Sequence, residues 1–259
     1  TKSLNTFYHT CSYAKVDYSH FMNITAKVAL RMIPDSLATQ PIFLCVDDTM
    51  VAKAGTRFEN VSKLFDHAAH NGSNYLNGHC FVSIMLCIPV WKNDRVSYLS
   101  LPLGYRMWQK KESKLELAAS MIRQVMPEFQ EKKQVIILCD SWYTKRNLVS
   151  IVDEYLNLDL IGNARIDSVM YAPAHTGRRG RPAKHGKQLS VETDFTFSGE
   201  KIGDYYTGVR RVFTRIFGNQ EVLAYVTATE KEHGKKRLFS VRFFQKNCRF
   251  SVHGRKKHH

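Results

Sequence analysis

Two short apolar segments that each end in aspartate are the feature that most constrains how this chain can fold. Residues 41–48 read P-I-F-L-C-V-D-D, and residues 134–140 read Q-V-I-I-L-C-D. Continuous apolar runs of this length are typical of strands buried on both faces of a sheet. The pattern therefore predicts an α/β protein in which two interior strands each deliver an acid to the point where the strand ends.

The segments around these strands predict the order of the other elements. Residues 75–90 and 96–108 are β-rich and joined by a short turn, which predicts an antiparallel pair. Apolar residues recur at intervals of three and four in residues 112–129, which predicts an amphipathic helix, and again in residues 147–156. A final short strand is predicted at residues 159–164. The predicted order is β-β-β-α-β-α-β.

The length of 259 residues predicts one large domain or a core that carries an inserted unit. We divide the chain into four parts. Residues 1–38 form a helical lead-in, and residues 39–166 form the first part of the α/β core. Residues 167–230 form a β-rich insertion with a basic loop at 177–187 and predicted strands at 189–197, 209–216 and 222–227. Residues 231–259 are a basic tail that is predicted to be disordered or foreign to the fold.

Charge is the strongest global signal. The chain has 38 Lys and Arg against 23 Asp and Glu, a formal net charge of +15. Such an excess favours a polyanionic partner, and nucleic acid is the first candidate. Apolar residues make up 44% of the chain, which excludes a disordered protein, and no apolar run is long enough to span a bilayer. The six cysteines lack a C-x-x-C pair, which favours structural thiols in a reducing cytoplasm.

The two terminal aspartates predict a metal-dependent reaction. If the second strand lies parallel beside the first, Asp47 and Asp140 meet at one edge of the sheet. Two adjacent carboxylates stay ionised when they share a cation, and hard oxygen ligands favour Mg²⁺ or Mn²⁺. Phosphoryl transfer at a two-metal centre is the natural chemistry. Asp48 should point to the opposite face, as a cap or supporting hydrogen-bond partner. The spacing leaves open that each aspartate only caps the loop after its strand.

Three sequence blocks resemble DDE-type transposases of bacterial insertion sequences. They are V-D-D-T at 46–49, D-S-W-Y at 140–143 and G-R-R-G-R-P-A-K-H-G-K at 177–187, and the similarity extends over about residues 20–230. The resemblance implies a ribonuclease H-like mixed sheet with a β-rich insertion, and it assigns Asp47 and Asp140 as the first two catalytic, metal-binding acids. It further implies DNA transposition by Mg²⁺- or Mn²⁺-dependent cleavage and strand transfer.

The same resemblance implies partners and a location. Double-stranded transposon ends would be the substrate, a homodimer would form the synaptic complex, and the protein would act in the bacterial cytoplasm at the nucleoid. Nothing in the sequence suggests a membrane partner.

The family's third acid is missing from its expected pattern. That acid is a glutamate in a block spaced Tyr, two residues, Arg, three residues, Glu, six residues, Lys. Tyr143 has Arg146 at the correct distance, but Ser150 stands where the glutamate should be. The later glutamates fall in β-like or basic loop sequence, and none is assigned: Glu192, Glu200, Glu221, Glu230 and Glu232. We therefore expect an inactive, truncated member of the family.

The basic block predicts the DNA contacts. Residues 179–182 read R-G-R-P, the core of a minor-groove hook, although a solvated connecting loop would have the same composition. Trp142 could stack on an unpaired base, or its ring could pack in the core. We expect no metal site at the histidines of residues 67–79. The residues predicted to bind DNA are Arg178, Arg179, Arg181, Lys184, Lys187 and Trp142.

Two other functions remain open. A non-catalytic DNA-binding pseudoenzyme would need the basic surface but neither aspartate. A metal-dependent phosphoesterase for small substrates would need a concave pocket at the aspartates, and it would leave the charge of +15 unexplained.

Overall fold

The computed structural model describes residues 3–15, 17–55, 57–65, 74–130, 133–174, 184–218, 220–230 and 236–242. The α-helices in these ranges are α1 (Leu4–Tyr13), α2 (Tyr18–Arg31), α3 (Lys114–Val125) and α4 (Arg146–Val149). The first six strands are β1 (Ile42–Ala52), β2 (Ser62–Phe65), β3 (Tyr75–Lys92), β4 (Arg95–Met107), β5 (Val135–Cys139) and β6 (Leu158–Ala164). The later strands are β7 (Met170–Tyr171), β8 (Gln188–Leu189), β9 (Tyr206–Thr214), β10 (Glu221–Ala228) and β11 (Lys236–Arg242).

The first strands form the mixed sheet that the sequence predicts. β3 pairs antiparallel with both β1 and β4, whereas β5 lies parallel between β1 and β6. The resulting order β4-β3-β1-β5-β6 is that of a ribonuclease H-like core, so the predicted fold class is confirmed. The strand β2 is an addition to the predicted order and pairs with the start of β3.

The core lies between this sheet and the helices α2 and α3. In β1 the side chains of Ile42, Leu44 and Val46 are buried, because alternate residues of a strand point to the same face. The strand β4 comes close to both helices: a Cβ added at Gly104 would lie 3.2 Å from Met22 Sδ and 3.8 Å from Met121 Cε. The helix α3 begins with a capping box in which Ser113 and Glu116 satisfy each other's backbone N–H groups.

The β-rich insertion continues the same sheet. Strand β11 pairs antiparallel with β6 on one side and with β10 on the other, and β9 follows beyond β10. Residues 236–242 were expected in a disordered or foreign tail, but they form β11. The open edges of β6 and β10 supply hydrogen-bond partners that the sequence alone does not reveal. Residues 243–259 lie outside the described residues, and the division into four parts remains a prediction.

One predicted strand of the insertion is mostly absent. Residues 189–197 were expected to be extended, but the strand ends at Leu189 and only an isolated bridge joins Phe197 to Gly208. The carboxylate of Asp194 accepts a hydrogen bond from the backbone N–H of Ser190, which turns the chain instead. Within the described ranges, no helix combines the length and apolar character needed to span a membrane.

Candidate active site

The candidate site lies where β1 and β5 deliver their acids. Val46 and Cys139 are partners in the parallel ladder, so Asp47 and Asp140 follow at adjacent positions of neighbouring strands. The sequence-based expectation that the two acidic segments meet at one edge of the sheet therefore holds for the backbone. Which side chains share the site depends on the direction each one takes.

A cleft of about 700 Å³ opens at this edge, and two carboxylates line it. They belong to Asp48 and Asp140, whereas Asp47 is exposed and is not among the described residues that line the cleft. Asp48 has the same parity as the buried residues Leu44 and Val46, so its side chain points to the side of the sheet that carries the helices. Asp48 and Asp140 therefore line the same cleft.

Asp48 is held by three donors. Lys114 Nζ donates to Oδ2 at 2.7 Å, Tyr143 Oη donates to Oδ1 at 3.1 Å and Cys80 Sγ donates to Oδ2 at 3.2 Å. The expectation that Asp48 makes supporting hydrogen bonds agrees with these contacts. Because the Lys114 and Asp48 side chains are only 16% and 17% exposed, water screens this ion pair weakly.

The contacts with Asp48 shift the pKa values of its partners. Burial lowers the pKa of Lys114, but the hydrogen bond and the negative charge of Asp48 outweigh it and leave the pKa raised. Burial and the same carboxylate raise the pKa of the Tyr143 hydroxyl. Burial and the hydrogen bond to Asp48 raise the pKa of Cys80 to about 11. All three groups therefore remain protonated donors at neutral pH.

Asp140 is fixed by the turn that follows β5. Its Oδ1 accepts hydrogen bonds from the backbone N–H groups of Trp142 at 3.0 Å and Tyr143 at 3.1 Å. Thr144 Oγ1 donates to the carbonyl oxygen of Asp140 at 2.8 Å. These bonds explain why D-S-W-Y forms a tight turn here, and they leave the second carboxylate oxygen of Asp140 outside the turn.

The rest of the cleft is basic and aromatic. Trp108, Trp142 and Phe65 are its aromatic residues. Among the described residues, five cationic side chains line it: Lys63, Lys110, Lys114, Lys145 and Arg165. All of them except Lys114 are exposed, so the positive charge extends to the rim. Such a surface suits a polyanion that is larger than the cleft itself.

The two carboxylates fit a magnesium ion in part. Mg²⁺ commonly binds through one or two carboxylates, with water and substrate phosphate completing its coordination. Asp48 and Asp140 would be these two carboxylates, and both oxygens of Asp48 already accept hydrogen bonds from Lys114, Tyr143 and Cys80. No group of three or more His, Cys, Asp or Glu side chains suited to a metal ion occurs in the described part of the chain. None of the described downstream glutamates lines the cleft.

The predicted DNA-binding residues lie in different places. Trp142 lines the cleft and is 38% exposed. Lys184 and Lys187 are exposed outside the cleft, and Lys187 Nζ lies 2.6 Å from Asp194 Oδ1. Arg178, Arg179 and Arg181 lie outside the described residues, so the contacts predicted for the basic loop remain a prediction.

The histidines were not expected to form a metal site. His79 Nε2 donates to the carbonyl oxygen of Glu59 at 2.8 Å, and His67 and His70 lie outside the described residues. Sequence reasoning missed Lys114 and Trp108 as members of the site. Lys114 is the first residue of α3, and the packing of that helix brings it to the cleft. Trp108 follows β4, and its backbone N–H donates to the carbonyl oxygen of Cys80 in β3.

A comparison with known protein families shows to which family this chain belongs. The sequence model described as "DDE superfamily endonuclease" matches residues 2–198, a span that includes Asp47, Asp48 and Asp140. The chain belongs to the DDE superfamily endonuclease family. This confirms the resemblance to DDE-type enzymes. Members generally use divalent metal ions, and the family implies a DNA substrate.

Other comparisons with this DDE superfamily endonuclease give weaker likenesses. No curated protein matches the chain. The NurA nuclease from Sulfolobus solfataricus is 10% identical with a TM-score of 0.32, over 94% of this chain and 83% of that one. The Drosophila P element transposase in its strand transfer complex is 11% identical with a TM-score of 0.31, over 74% of this chain and 41% of that one. The fold assignment rests on the strand order.

Proposed function

We propose that this DDE superfamily endonuclease belongs to a transposition system and that Asp48 and Asp140 are the metal-binding acids of its candidate active site. The observation that carries the proposal is that both carboxylates line one cleft whose walls and rim are cationic. Transposon ends, a homodimeric synaptic complex and Mg²⁺ or Mn²⁺ as the ion are parts of this proposal. They follow from the family resemblance.

The protein's own residues orient the two acids. Tyr143 and Lys114 hold opposite oxygens of Asp48, and backbone N–H groups hold one oxygen of Asp140. Preorganised carboxylates need little rearrangement when a cation and a phosphate arrive. A bound divalent ion would supply Lewis-acid activation of the scissile phosphate.

The cationic rim favours a polymer over a small substrate. Lys63, Lys110 and Lys145 are exposed, so their charges can contact phosphates on both sides of the scissile bond. Arg165 is also exposed, but it is paired with Asp167. A phosphoesterase for small substrates would not use this extended surface. A non-catalytic DNA-binding protein would also use it. Only substitution of the two acids distinguishes that function from the proposed one.

The test compares three matched variants, Asp48→Asn, Asp140→Asn and Asp47→Asn. Each removes one negative charge and keeps the shape of the side chain. Binding of Mn²⁺ is measured by electron paramagnetic resonance, and binding of duplex DNA is measured with and without Mg²⁺. We expect D48N and D140N to lose Mn²⁺ binding and the Mg²⁺-dependent part of DNA binding, whereas D47N resembles the wild type.

Each contrary result has a definite meaning. Loss in D47N with retention in D48N would restore the assignment of Asp47 suggested by the resemblance. Unchanged metal and DNA binding in all three variants would favour the non-catalytic DNA-binding protein. Because the described residues supply two acids and no third, we expect the pure chain to bind DNA without cleaving it. Metal-dependent nicking of a supercoiled plasmid would overturn that expectation.

A further inference from the structure

Three lysine ammonium groups in the cleft lie over tryptophan rings. Lys114 Nζ is 5.4 Å from the ring centroid of Trp108 and 5.1 Å from that of Trp142. Lys145 Nζ is 4.3 Å from the Trp142 centroid, and Lys110 Nζ is 5.9 Å from the Trp108 centroid. Cations and indole rings therefore alternate along one wall of the cleft, in the order Lys110, Trp108, Lys114, Trp142, Lys145.

This arrangement restrains side chains that are otherwise free to rotate. An exposed lysine loses considerable rotamer entropy when it is fixed against a ligand. The indole face attracts the ammonium group without neutralising its charge, so Lys110 and Lys145 stay available to phosphates, whereas Lys114 is also paired with Asp48. Trp108 is itself held in place, because its Nε1 donates to the carbonyl oxygen of Glu112 at 2.7 Å.

We infer that Trp108 and Trp142 are positioning residues that hold Lys110, Lys114 and Lys145 as a fixed row for successive phosphates of a DNA backbone. This inference rests on the proposed function, because it takes DNA to pass through the cleft. It replaces the role in base stacking considered for Trp142 from the sequence. A base stacked on Trp142 would compete with ammonium groups that already occupy the ring.

The row is also connected to the acids. Lys114 contacts both tryptophans and donates to Asp48, so it stands where the cationic wall meets the carboxylate pair. Phosphates aligned along the row would thus be placed relative to Asp48. The tryptophans would set the position of the backbone and read no base identity.

The experiment measures the affinity for a labelled DNA duplex and for the corresponding single strand over a range of salt concentrations. Trp142→Leu removes the ring face, Trp142→Phe keeps a smaller one, and Trp91→Leu is the matched control. Trp91 lies at the hairpin end of β3, where its Nε1 donates to Ser36 Oγ, and it is not part of the cleft. Thermal unfolding of each variant establishes that it is folded.

We expect W142L to bind both DNAs about two- to fivefold more weakly, the effect of one or two exposed cation–π contacts. The slope of log affinity against log salt should fall by about one, because a lysine no longer meets its phosphate. W142F should recover most of both quantities, and W91L should match the wild type. In a double-mutant cycle, W142L should add little to the loss caused by Lys145→Met.

Two results would overturn the inference. The first is a loss confined to the single strand with an unchanged salt slope, which is the signature of base stacking. The second is full additivity of W142L and K145M. Failure of the proposed function gives a different result: the triple variant Lys110→Met, Lys114→Met, Lys145→Met would then bind DNA as the wild type does. If W142L fails to fold, Trp108→Leu and its cycle with Lys110→Met give the same decision, because Lys110 lies over Trp108 as Lys145 lies over Trp142.

Discussion

The ammonium group of Lys114 lies 2.7 Å from Oδ2 of Asp48, so the first residue of α3 is joined to the strand that carries one of the two candidate acids. The capping box between Ser113 and Glu116 fixes the helix start just where this lysine leaves the backbone. Helix packing and site geometry are thereby coupled through one ion pair.

Replacing Lys114 with methionine should destabilise the protein by about 1–3 kcal/mol. The variant keeps the aliphatic stem but leaves the poorly exposed Asp48 carboxylate without its cation. Urea unfolding measures the change. Lys27→Met is the control, because Lys27 pairs with Glu128 at 3.2 Å but is 57% exposed, and about 0–1 kcal/mol is expected there. Equal effects in the two variants would show that the Lys114 pair has no special role.

Replacing Tyr143 with phenylalanine should cost about 1 kcal/mol of unfolding free energy. The ring is fully buried, and the change removes only the hydroxyl that donates to Asp48 Oδ1. Tyr18→Phe serves for comparison, because Tyr18 is 78% exposed and its substitution should change stability by less than about 0.5 kcal/mol. A neutral Y143F variant would mean that water replaces the hydroxyl without loss.

Replacing Gly162 with alanine should destabilise the protein by about 1–3 kcal/mol and disturb the turn after β5. The new Cβ would clash with Thr144 Oγ1 and lie 2.7 Å from Thr144 Cγ2. Thr144 is the buried residue whose hydroxyl holds the carbonyl oxygen of Asp140. Gly199→Ala is the matched control, since a Cβ there meets nothing within 4 Å. Metal binding by G162A should also weaken. Unchanged metal binding would show that Thr144 does not position Asp140 for the ion.

The thiol of Cys87 should ionise far below the usual pH. The hydrogen bond from Cys45, whose Sγ lies 3.7 Å away, lowers the pKa of Cys87 from 9.0 to about 6, with a further contribution from Ser100. The same contact, together with burial, raises the pKa of Cys45. Thiolate absorbance should therefore show a transition near pH 6 that is lost in Cys87→Ala.

The lowered pKa of Cys87 determines how its contribution to stability changes with pH. The contribution of Cys87 to stability should rise as pH increases from about 6 to 9, because the folded protein releases this proton before the unfolded chain does. It is lost when the pH falls through the folded pKa. Cys45→Ala removes the donor, so the transition of Cys87 should move up towards 9. A transition near 9 already in the wild type would contradict the assignment.

The sheet could be predicted from the sequence, but which of Asp47 and Asp48 faces the cleft could not. All residues of the run I-F-L-C-V are apolar, including successive ones that point to opposite faces of a strand. The run therefore predicts an interior strand without showing which residues face the helices. That orientation decides which of Asp47 and Asp48 points towards the cleft. The resemblance pointed to Asp47, whereas the burial of Leu44 and Val46 places Asp48 on the side of the cleft.

Other features depend on contacts distant in sequence. Residues 236–242 carry charges at both ends and too few apolar residues to predict a strand, and they become one because β6 and β10 offer partners. Lys114 and Trp142 meet only because α3 packs beside the turn that follows β5. The local periodicity of a sequence contains no information about such long-range contacts, so the basic wall of the cleft could not be predicted.

The position of β11 has a consequence for biosynthesis. It is the last described strand to emerge from the ribosome, yet it fills the gap between two strands made earlier. Until it arrives, β6 and β10 are both unprotected, and such edges recruit other chains. The nascent protein should therefore depend on chaperones until residues 236–242 are released.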